Sequence, residues 1–286
     1  MDKKVIITAA LSGTATTKDM APTVPLTAEE IARETVAVVK AGASVVHIHV
    51  RDDQGLATMD TKKFEQAYFA TQKALDEEGL DAILNLTTSG ASGGTAPLEL
   101  RLGHLRRLKP ELCSFDAGTM NWGCNLVFEN TPDFLRELCR CVSEEGIKPE
   151  IEIFDGGMMG NVAYYVNNHM LKTPCHYQFV LGVLGGLEGT VENLLFLKNR
   201  LPARSTWSVT GIGKAHIPMM LAGLALGCDG LRVGLEDNIY MSHGVKATNV
   251  QLVERAVALC RIAGREPATA AQAREILSLP ARGRGK

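Results

Sequence analysis

The chain has 286 residues, of which 45% are hydrophobic and 22% are charged, a composition typical of an ordinary globular protein. Its 30 basic and 32 acidic residues give a net charge of -2, which excludes a generally basic nucleic-acid binder. No window holds 18 uncharged apolar residues, and the seven scattered cysteines contain no C-x-x-C pair. We therefore expect a reduced, cytoplasmic protein with neither membrane nor nucleic-acid partners.

The chain repeats one pattern, in which a short apolar or alternating run is followed by an amphipathic stretch. Eight runs are predicted as strands: Val5–Leu11, Val45–Val50, Ala82–Thr88, Leu112–Thr119, Glu150–Phe154, Tyr177–Val183, Ser205–Gly211 and Gly230–Glu236. Predicted helices between them include Thr27–Ala41, Thr61–Glu78, Thr131–Glu145, Val191–Leu201 and Ile217–Leu226. Capping residues at their starts and glycines after several of their ends support these bounds.

The number and order of these elements decide the predicted fold. Eight β–α units in about 265 residues have the length and order of a TIM barrel. A doubly wound open sheet is the rival, but no G-x-G-x-x-G or Walker A motif occurs in the chain. We predict a (β/α)8 TIM barrel as a single domain over residues 1–286, with an extra C-terminal helix from Pro267 onward. A flexible basic tail with Arg282, Arg284 and Lys286 is expected from about residue 280.

Five predicted strands carry polar residues on one face and apolar residues on the other. The polar sets are His47, His49 and Arg51; Asn85 and Thr87; Glu150 and Glu152; Thr206, Ser208 and Thr210; Arg232 and Glu236. Since the outer face of a barrel strand must meet the helices, the apolar side chains point outward and the polar ones inward. The pattern predicts a polar, functional cavity at the carboxyl mouth of the barrel.

The pair His47 and His49 is the most specific functional signal in this interior. Residues two apart on a strand share a face at a spacing of about 6.6 Å, so both imidazoles can reach one cation at about 2.0–2.1 Å. Two buried, hydrogen-bonded histidines without a metal are the structural alternative. Glu236 ends predicted strand eight. That strand and strand two, which carries the two histidines, are both expected to flank strand one. Two histidines and one carboxylate leave a coordination position open, as in catalytic zinc sites.

Several motifs together resemble the β-keto acid cleavage enzyme family, which includes the 3-keto-5-aminohexanoate cleavage enzymes. They are IITAA at 6–10, PLTAEEI at 25–31, HIHVRD at 47–52, NLTT at 85–88, GTMN at 118–121, PEIEIFD at 149–155, GIG at 211–213 and RVGLED at 232–237. The likeness covers nearly the whole chain, from about residue 4 to about residue 279.

The resemblance implies a zinc-dependent TIM barrel, usually a homotetramer, that converts a β-keto acid and acetyl-CoA into acetoacetate and a new acyl-CoA. The expected route is Claisen addition, CoA transfer and retro-Claisen cleavage. By motif, the zinc ligands are His47, His49 and Glu236, and the catalytic pair is Arg232 and Asp237. The substrate contacts implied are Thr87, Thr88, Ser89, Gly90, Thr119, Asn121 and Glu152.

The expected role of Asp237 is that of a general base. A neighbouring cation lowers a carboxylate pKa, so Arg232 is expected to keep Asp237 ionised. Asp237 would then abstract a proton from the acetyl methyl group of acetyl-CoA, and the enolate would add to a ketone polarised by zinc.

The resemblance departs at Ala15, where relatives that take an aminated keto acid carry an acidic residue. A neutral or anionic β-keto acid is therefore the expected substrate. The main alternative function is a metal-dependent carbon–carbon lyase of the hydroxymethylglutaryl-CoA lyase type, which needs no acyl acceptor. A metal-dependent hydrolase and a non-catalytic zinc-binding or CoA-binding protein are further alternatives.

Overall fold

Eight parallel strands close into a barrel in the computed structural model, which describes residues 4–91, 95–123 and 125–280. The strands are β1 (Ile6–Ala10), β2 (Val45–Ile48), β3 (Ile83–Leu86), β4 (Leu112–Asp116), β5 (Lys148–Ile153), β6 (His176–Leu181), β7 (Thr206–Gly211) and β8 (Gly230–Val233). Each pairs with its neighbour in chain order, and β8 closes the barrel by pairing with β1. The TIM-barrel prediction is confirmed, whereas the predicted basic tail lies almost entirely outside the described residues.

Helices alternate with the strands and cover the outside of the barrel. They are α1 (Ala28–Ala41), α2 (Thr61–Glu77), α3 (Leu98–Leu108), α4 (Pro132–Glu145), α5 (Gly156–Asn167), α6 (Val191–Lys198), α7 (His216–Ala225) and α8 (Asn249–Ile262). The sequence sets their starts locally: Thr27 and Glu30 form a capping box that begins α1. In the part of the chain that the structure describes, no helix is long and apolar enough to cross a membrane.

The predicted extra helix, α9 (Ala270–Leu277), closes the amino-terminal end of the barrel. Ala268, Ala273 and Leu277 form a separate apolar cluster with the first residues of four strands, Ile6, Val45, Ile83 and Leu112. Arg274 on this helix binds the carboxylates of Asp81 and Glu111. Because this end is closed, the accessible mouth of the barrel is the carboxyl end.

Strand β8 ends at Val233, three residues earlier than predicted, so Glu236 lies in the turn after the strand. The cause is Gly234, whose φ of +144° and close approach to β1 break the strand: a Cβ there would lie 2.0 Å from the Ala10 carbonyl oxygen. The turn nevertheless stays attached to the barrel, since the Glu236 N–H donates to the same carbonyl at 3.2 Å.

Candidate active site

A cavity of about 150 Å³ opens at the carboxyl mouth of the barrel, and each of the eight strands, or the loop that follows it, contributes residues to its lining. The lining contains His47, His49, Glu236, Arg232 and Asp237, which the sequence analysis singled out for chemistry. Residues from strands far apart in the chain therefore meet in one place, as expected for this fold.

His47, His49 and Glu236 form a compact group, with one ligand atom from each within 4.8 Å of the others. The two Nε2 atoms are 3.1 Å apart, and Glu236 Oε1 lies 3.7 Å from His47 Nε2 and 3.4 Å from His49 Nε2. An ion with tetrahedral ligands at about 2.0–2.1 Å separates them by roughly 3.4 Å. The three side chains thus have the spacing that a single metal ion requires.

The protonation of this group also suits a metal. Burial lowers the pKa of His47 to about 3, so its imidazole is neutral and offers a lone pair. Burial alone would raise the pKa of Glu236, but His49 and Arg232 outweigh it and hold that pKa well below its usual value. Glu236 Oε1 accepts from Arg232, while Oε2 is buried without a hydrogen-bond partner among the described residues, so the carboxylate keeps an oxygen available for a cation.

Arg232 links the metal-ligand group to the other carboxylates of the cavity. Its guanidinium donates to Asp237 Oδ2 from Nε at 2.9 Å and to Asp237 Oδ1 from Nη2 at 3.1 Å. It also donates to Glu236 Oε1 at 2.5 Å and to Glu152 Oε1 at 3.2 Å. Burial would lower its pKa, but these three acidic partners raise that pKa well above its usual value. Arg232 is therefore a fixed cation that orients three carboxylates.

The pKa of Asp237 differs from the sequence-based expectation. Burial raises this pKa, and Arg232 offsets that effect only in part, so the net shift is upward. Arg232 does lower the pKa of Asp237, as expected, but burial outweighs it, and the sequence does not show how deeply the pair is buried. A carboxylate with a raised pKa is a stronger base than an exposed one, which suits proton abstraction.

Asp116 is a cavity residue that the sequence analysis missed. It ends β4 beside Glu152 of β5, and both side chains line the cavity. Burial raises the pKa of Asp116 to about 6 and that of Glu152 well above its usual value. The alternation of Ser114 and Asp116 with apolar neighbours in β4 is the same signal that identified five other strands.

Two further predicted inward residues support the site from outside the cavity. Asn85 donates to Glu150 Oε1 at 2.7 Å, deeper in the barrel. Arg51 donates to the carbonyl oxygens of Gly13 at 2.8 Å and Thr16 at 3.1 Å, and so holds the loop after β1. Asn85 therefore supports the barrel interior below the cavity, and Arg51 supports the loop at its mouth.

Thr87 and Ser89 are the predicted substrate residues, besides Glu152, that line the cavity. The Ser89 N–H donates to Thr87 Oγ1 at 3.1 Å, which leaves the Thr87 hydroxyl proton free to donate elsewhere. Within the described part of the chain, the buried Ser89 Oγ has no hydrogen-bond partner. The end of β3 therefore presents two hydroxyl donors to a ligand.

The other predicted substrate residues do not line this cavity as the described residues define it. Thr88 donates to the Ser114 carbonyl at 3.0 Å, and Thr119 accepts from the Asn130 N–H at 2.9 Å. Asn121 is exposed in a hairpin, and Gly90 lies in the loop after β3 with a φ of +79°. Their contact with substrate stays a prediction.

Comparisons with known proteins show the family to which the chain is similar. A family model described as beta-keto acid cleavage enzyme matches residues 4–279. The 3-keto-5-aminohexanoate cleavage enzyme of Fusobacterium nucleatum is 40% identical over 280 residues, covering 98% of this chain and 99% of that protein. The 3-dehydrocarnitine:acetyl-CoA trimethylamine transferase of Rhizobium meliloti is 32% identical over 283 residues, covering 92% of this chain and 93% of that protein.

Among solved structures, a ternary complex of ObcA with a C4-CoA adduct and oxalate superposes with a TM-score of 0.76. It is 23% identical in sequence and covers 90% of this chain and 68% of that chain. At that identity the likeness shows the barrel fold alone.

Proposed function

Because the chain belongs to the beta-keto acid cleavage enzyme family, we propose that it converts a β-keto acid and acetyl-CoA into acetoacetate and a new acyl-CoA. The name of the relative from Rhizobium meliloti includes acetyl-CoA as a reactant, which supports the co-substrate. The observation that carries the proposal is one cavity that joins a metal-ligand triad to a buried base, Asp237, held by Arg232.

Zinc is the metal in this proposal, and His47, His49 and Glu236 would hold it. Ligands of this type are those of catalytic zinc sites, and a bound ion would supply Lewis-acid polarisation of the keto carbonyl. A homotetramer, which the family resemblance implies, belongs to the same proposal and is checked by analytical ultracentrifugation.

Atom balance decides which proton Asp237 removes. Acetoacetate must contain C1 and C2 of the keto acid joined to the acetyl group, so C2 is the carbon that forms the new bond. An enolate made at the acetyl methyl group, as the sequence analysis expected, would join the wrong carbons. Asp237 therefore takes the proton from C2, which lies between the keto carbonyl and the carboxylate.

The remaining steps conserve all atoms. The C2 carbanion attacks the thioester carbonyl, and the CoA sulfur then moves from that carbon to C3. The bond between C2 and C3 breaks, C3 leaves as the new thioester, and C2 recovers a proton from the Asp237 carboxyl group. Arg232 keeps both Asp237 oxygens in place through its Nε and Nη2 donors in each step.

The substrate carboxylate is proposed to bind at the end of β3. Thr87 and Ser89 can donate hydrogen bonds to it without adding positive charge next to the metal ligands. Gly90 can add a backbone N–H donor, whereas the Ser89 N–H already donates to Thr87 Oγ1; Thr88, Thr119 and Asn121 remain predicted contacts.

The decisive experiment is a panel of β-keto acids incubated with and without acetyl-CoA, with acyl-CoA products followed by mass spectrometry. The proposal expects a new acyl-CoA and acetoacetate only when acetyl-CoA is present. Keto acid cleavage without acetyl-CoA would favour the lyase alternative, and no turnover of any keto acid would favour a non-catalytic binding protein.

A further inference from the structure

The cavity has a polar arc and, opposite it at the barrel mouth, an arc whose residues beyond the strand ends are apolar. Asp116 and Glu152, at the ends of β4 and β5, are acidic cavity residues on this second arc. The metal-ligand triad, Arg232 and Asp237 come from β2 and β8, and Thr87 and Ser89 come from the end of β3. The segments after β4, β5, β6 and β7 contribute instead Trp122, Leu126, Phe128, Phe154, Val183 and Ile212. We name this second group the apolar wall.

Three aromatic rings form the centre of the apolar wall. Trp122 lies 5.6 Å from both Phe128 and Phe154, and the last two are 6.5 Å apart, all with edge-to-face geometry. Phe128 and Phe154 are buried, whereas Trp122 remains 38% exposed. The wall therefore has a rigid base and an apolar surface that still contacts water.

Backbone contacts hold the wall in position. Trp122 and Phe128 belong to a hairpin, Met120–Trp122 paired with Leu126–Phe128, that follows β4. The Gly123 N–H donates to the Leu184 carbonyl at 2.8 Å, and a Cβ at Gly185 would lie 1.9 Å from the Asn121 carbonyl oxygen. This close approach of two loops preforms the wall before any ligand binds.

We infer that the apolar wall binds the acyl tail of the keto acid, and that the preferred tail is uncharged and apolar. The inference rests on the proposed function, which places the carboxylate and the keto oxygen on the polar arc. The tail leaves from C3 on the side away from the carboxylate, and so extends toward the opposite arc. Trp122, Phe128 and Phe154 themselves offer no partner to a charged tail. The acidic groups of this arc are Asp116 and Glu152 at the strand ends, and Glu152 already accepts from Arg232, so a charged tail against the wall would be poorly paired.

The first test compares straight-chain substrates, from 3-oxopentanoate to 3-oxooctanoate, with tails of equal length that end in an amine or a carboxylate. We expect kcat/KM of the native protein to rise by roughly 4-fold per added methylene, the value of one buried CH2 group. Trp122→Ala should reduce that rise to roughly 2-fold per methylene and leave the KM for acetyl-CoA unchanged. The control Phe69→Ala removes an exposed aromatic ring from α2, away from the cavity, and should leave the chain-length dependence intact.

A second test measures binding without turnover. The chain has two tryptophans, and Trp207 is only 5% exposed, so Trp207→Phe leaves Trp122 as the single emitting tryptophan. Titration of this variant with 3-hydroxyoctanoate, which lacks the reactive ketone, should shift the Trp122 emission to shorter wavelength. 3-Hydroxybutyrate, whose tail is one methyl group, should produce a much smaller shift.

The two tests separate the inference from the proposed function. An emission shift with no turnover of any keto acid would remove the proposed function and support the apolar tail site. Turnover that favours charged tails, or turnover without an emission shift, would overturn the apolar tail site alone. If Trp122→Ala raises the KM for acetyl-CoA equally with every substrate tail, the apolar wall would instead be assigned to the pantetheine arm of CoA. That result would also overturn the inference.

Discussion

Gly13, in the loop after β1, lies directly against the side chain of Glu236 in the turn after β8. A Cβ on Gly13 would come within 2.6 Å of Glu236 Cγ, and the φ of Gly13 is +58°. The third proposed metal ligand is thus positioned by a glycine on a neighbouring loop, far away in the chain.

Gly13→Ala should therefore displace Glu236 and lower both metal content and turnover. Gly79→Ala is the matched control, because Gly79 has a φ of +64° with open space around its Cα. Both variants carry a left-handed backbone cost of about 1 kcal/mol, but only the first changes the ligand triad. Equal metal content in the two purified variants, measured by elemental mass spectrometry, would contradict this explanation.

His47→Ala and His49→Ala should each abolish metal binding and turnover while the barrel stays folded. The main apolar core is built from residues that need no metal, so far-ultraviolet circular dichroism should be unchanged. Glu236→Gln should weaken metal binding without removing it, since an amide oxygen is an uncharged ligand. Full metal content in the double histidine variant would show that the ion binds elsewhere.

Asp237→Asn should keep its metal and lose kcat by roughly 10²–10⁴-fold, the usual contribution of a general base. Asparagine preserves the size of the side chain and can still accept from Arg232, so KM should change little. Retention of metal in the variant controls for damage to the neighbouring Glu236. Normal turnover would reduce Asp237 to a structural partner of Arg232.

Ala15→Glu tests whether the tail lies toward β1 instead of against the apolar wall, and we expect no selective gain in kcat/KM for 3-keto-5-aminohexanoate. Ala15 is exposed and lines the cavity in the loop after β1, on the polar arc. A carboxylate there would offer a partner to an ammonium group that reached this loop, whereas Ala15→Gln adds similar length without charge and serves as the control. A selective gain with Ala15→Glu alone would place the tail at Ala15 and contradict the apolar wall.

His104 makes folding stability depend on pH. Burial lowers its pKa to about 4, while its Nε2 lies 2.9 Å from the Thr87 carbonyl and its ring stacks on Phe64 at 4.0 Å. The unfolded chain binds the proton more readily, so this contribution is complete above about pH 6.5 and is lost as the pH falls toward about 4. The loss amounts to about 3 kcal/mol at most.

His104→Gln retains an N–H donor but no titrating group, so its stability curve should be flatter between pH 4 and 6.5. Urea denaturation of both proteins across this interval measures the difference, which isolates His104 from the other histidines. Parallel curves would show that His104 does not titrate between the folded and unfolded states.

The sequence by itself determined the barrel and which strand residues of the candidate site face inward. Strand and helix periodicities are local properties, so eight β–α units could be counted without knowledge of any contact. The alternation in His47-Ile48-His49 likewise places both imidazoles on one face, because the side-chain period of a strand is two. Asp116 could have been found by the same rule, since it follows Ser114 on the polar face of β4.

Only the tertiary structure decided the features that depend on contacts between distant loops and on burial. Three such features join segments from different β–α units. They are the 3.4 Å distance between Glu236 and His49, the contact of the Glu236 side chain with Gly13, and the aromatic apolar wall. The raised pKa of Asp237 arises because burial outweighs its pairing with Arg232, and depth below the surface has no signature in local sequence. Periodicity therefore specifies which side chains face inward, while loop packing and desolvation set their distances and their charge.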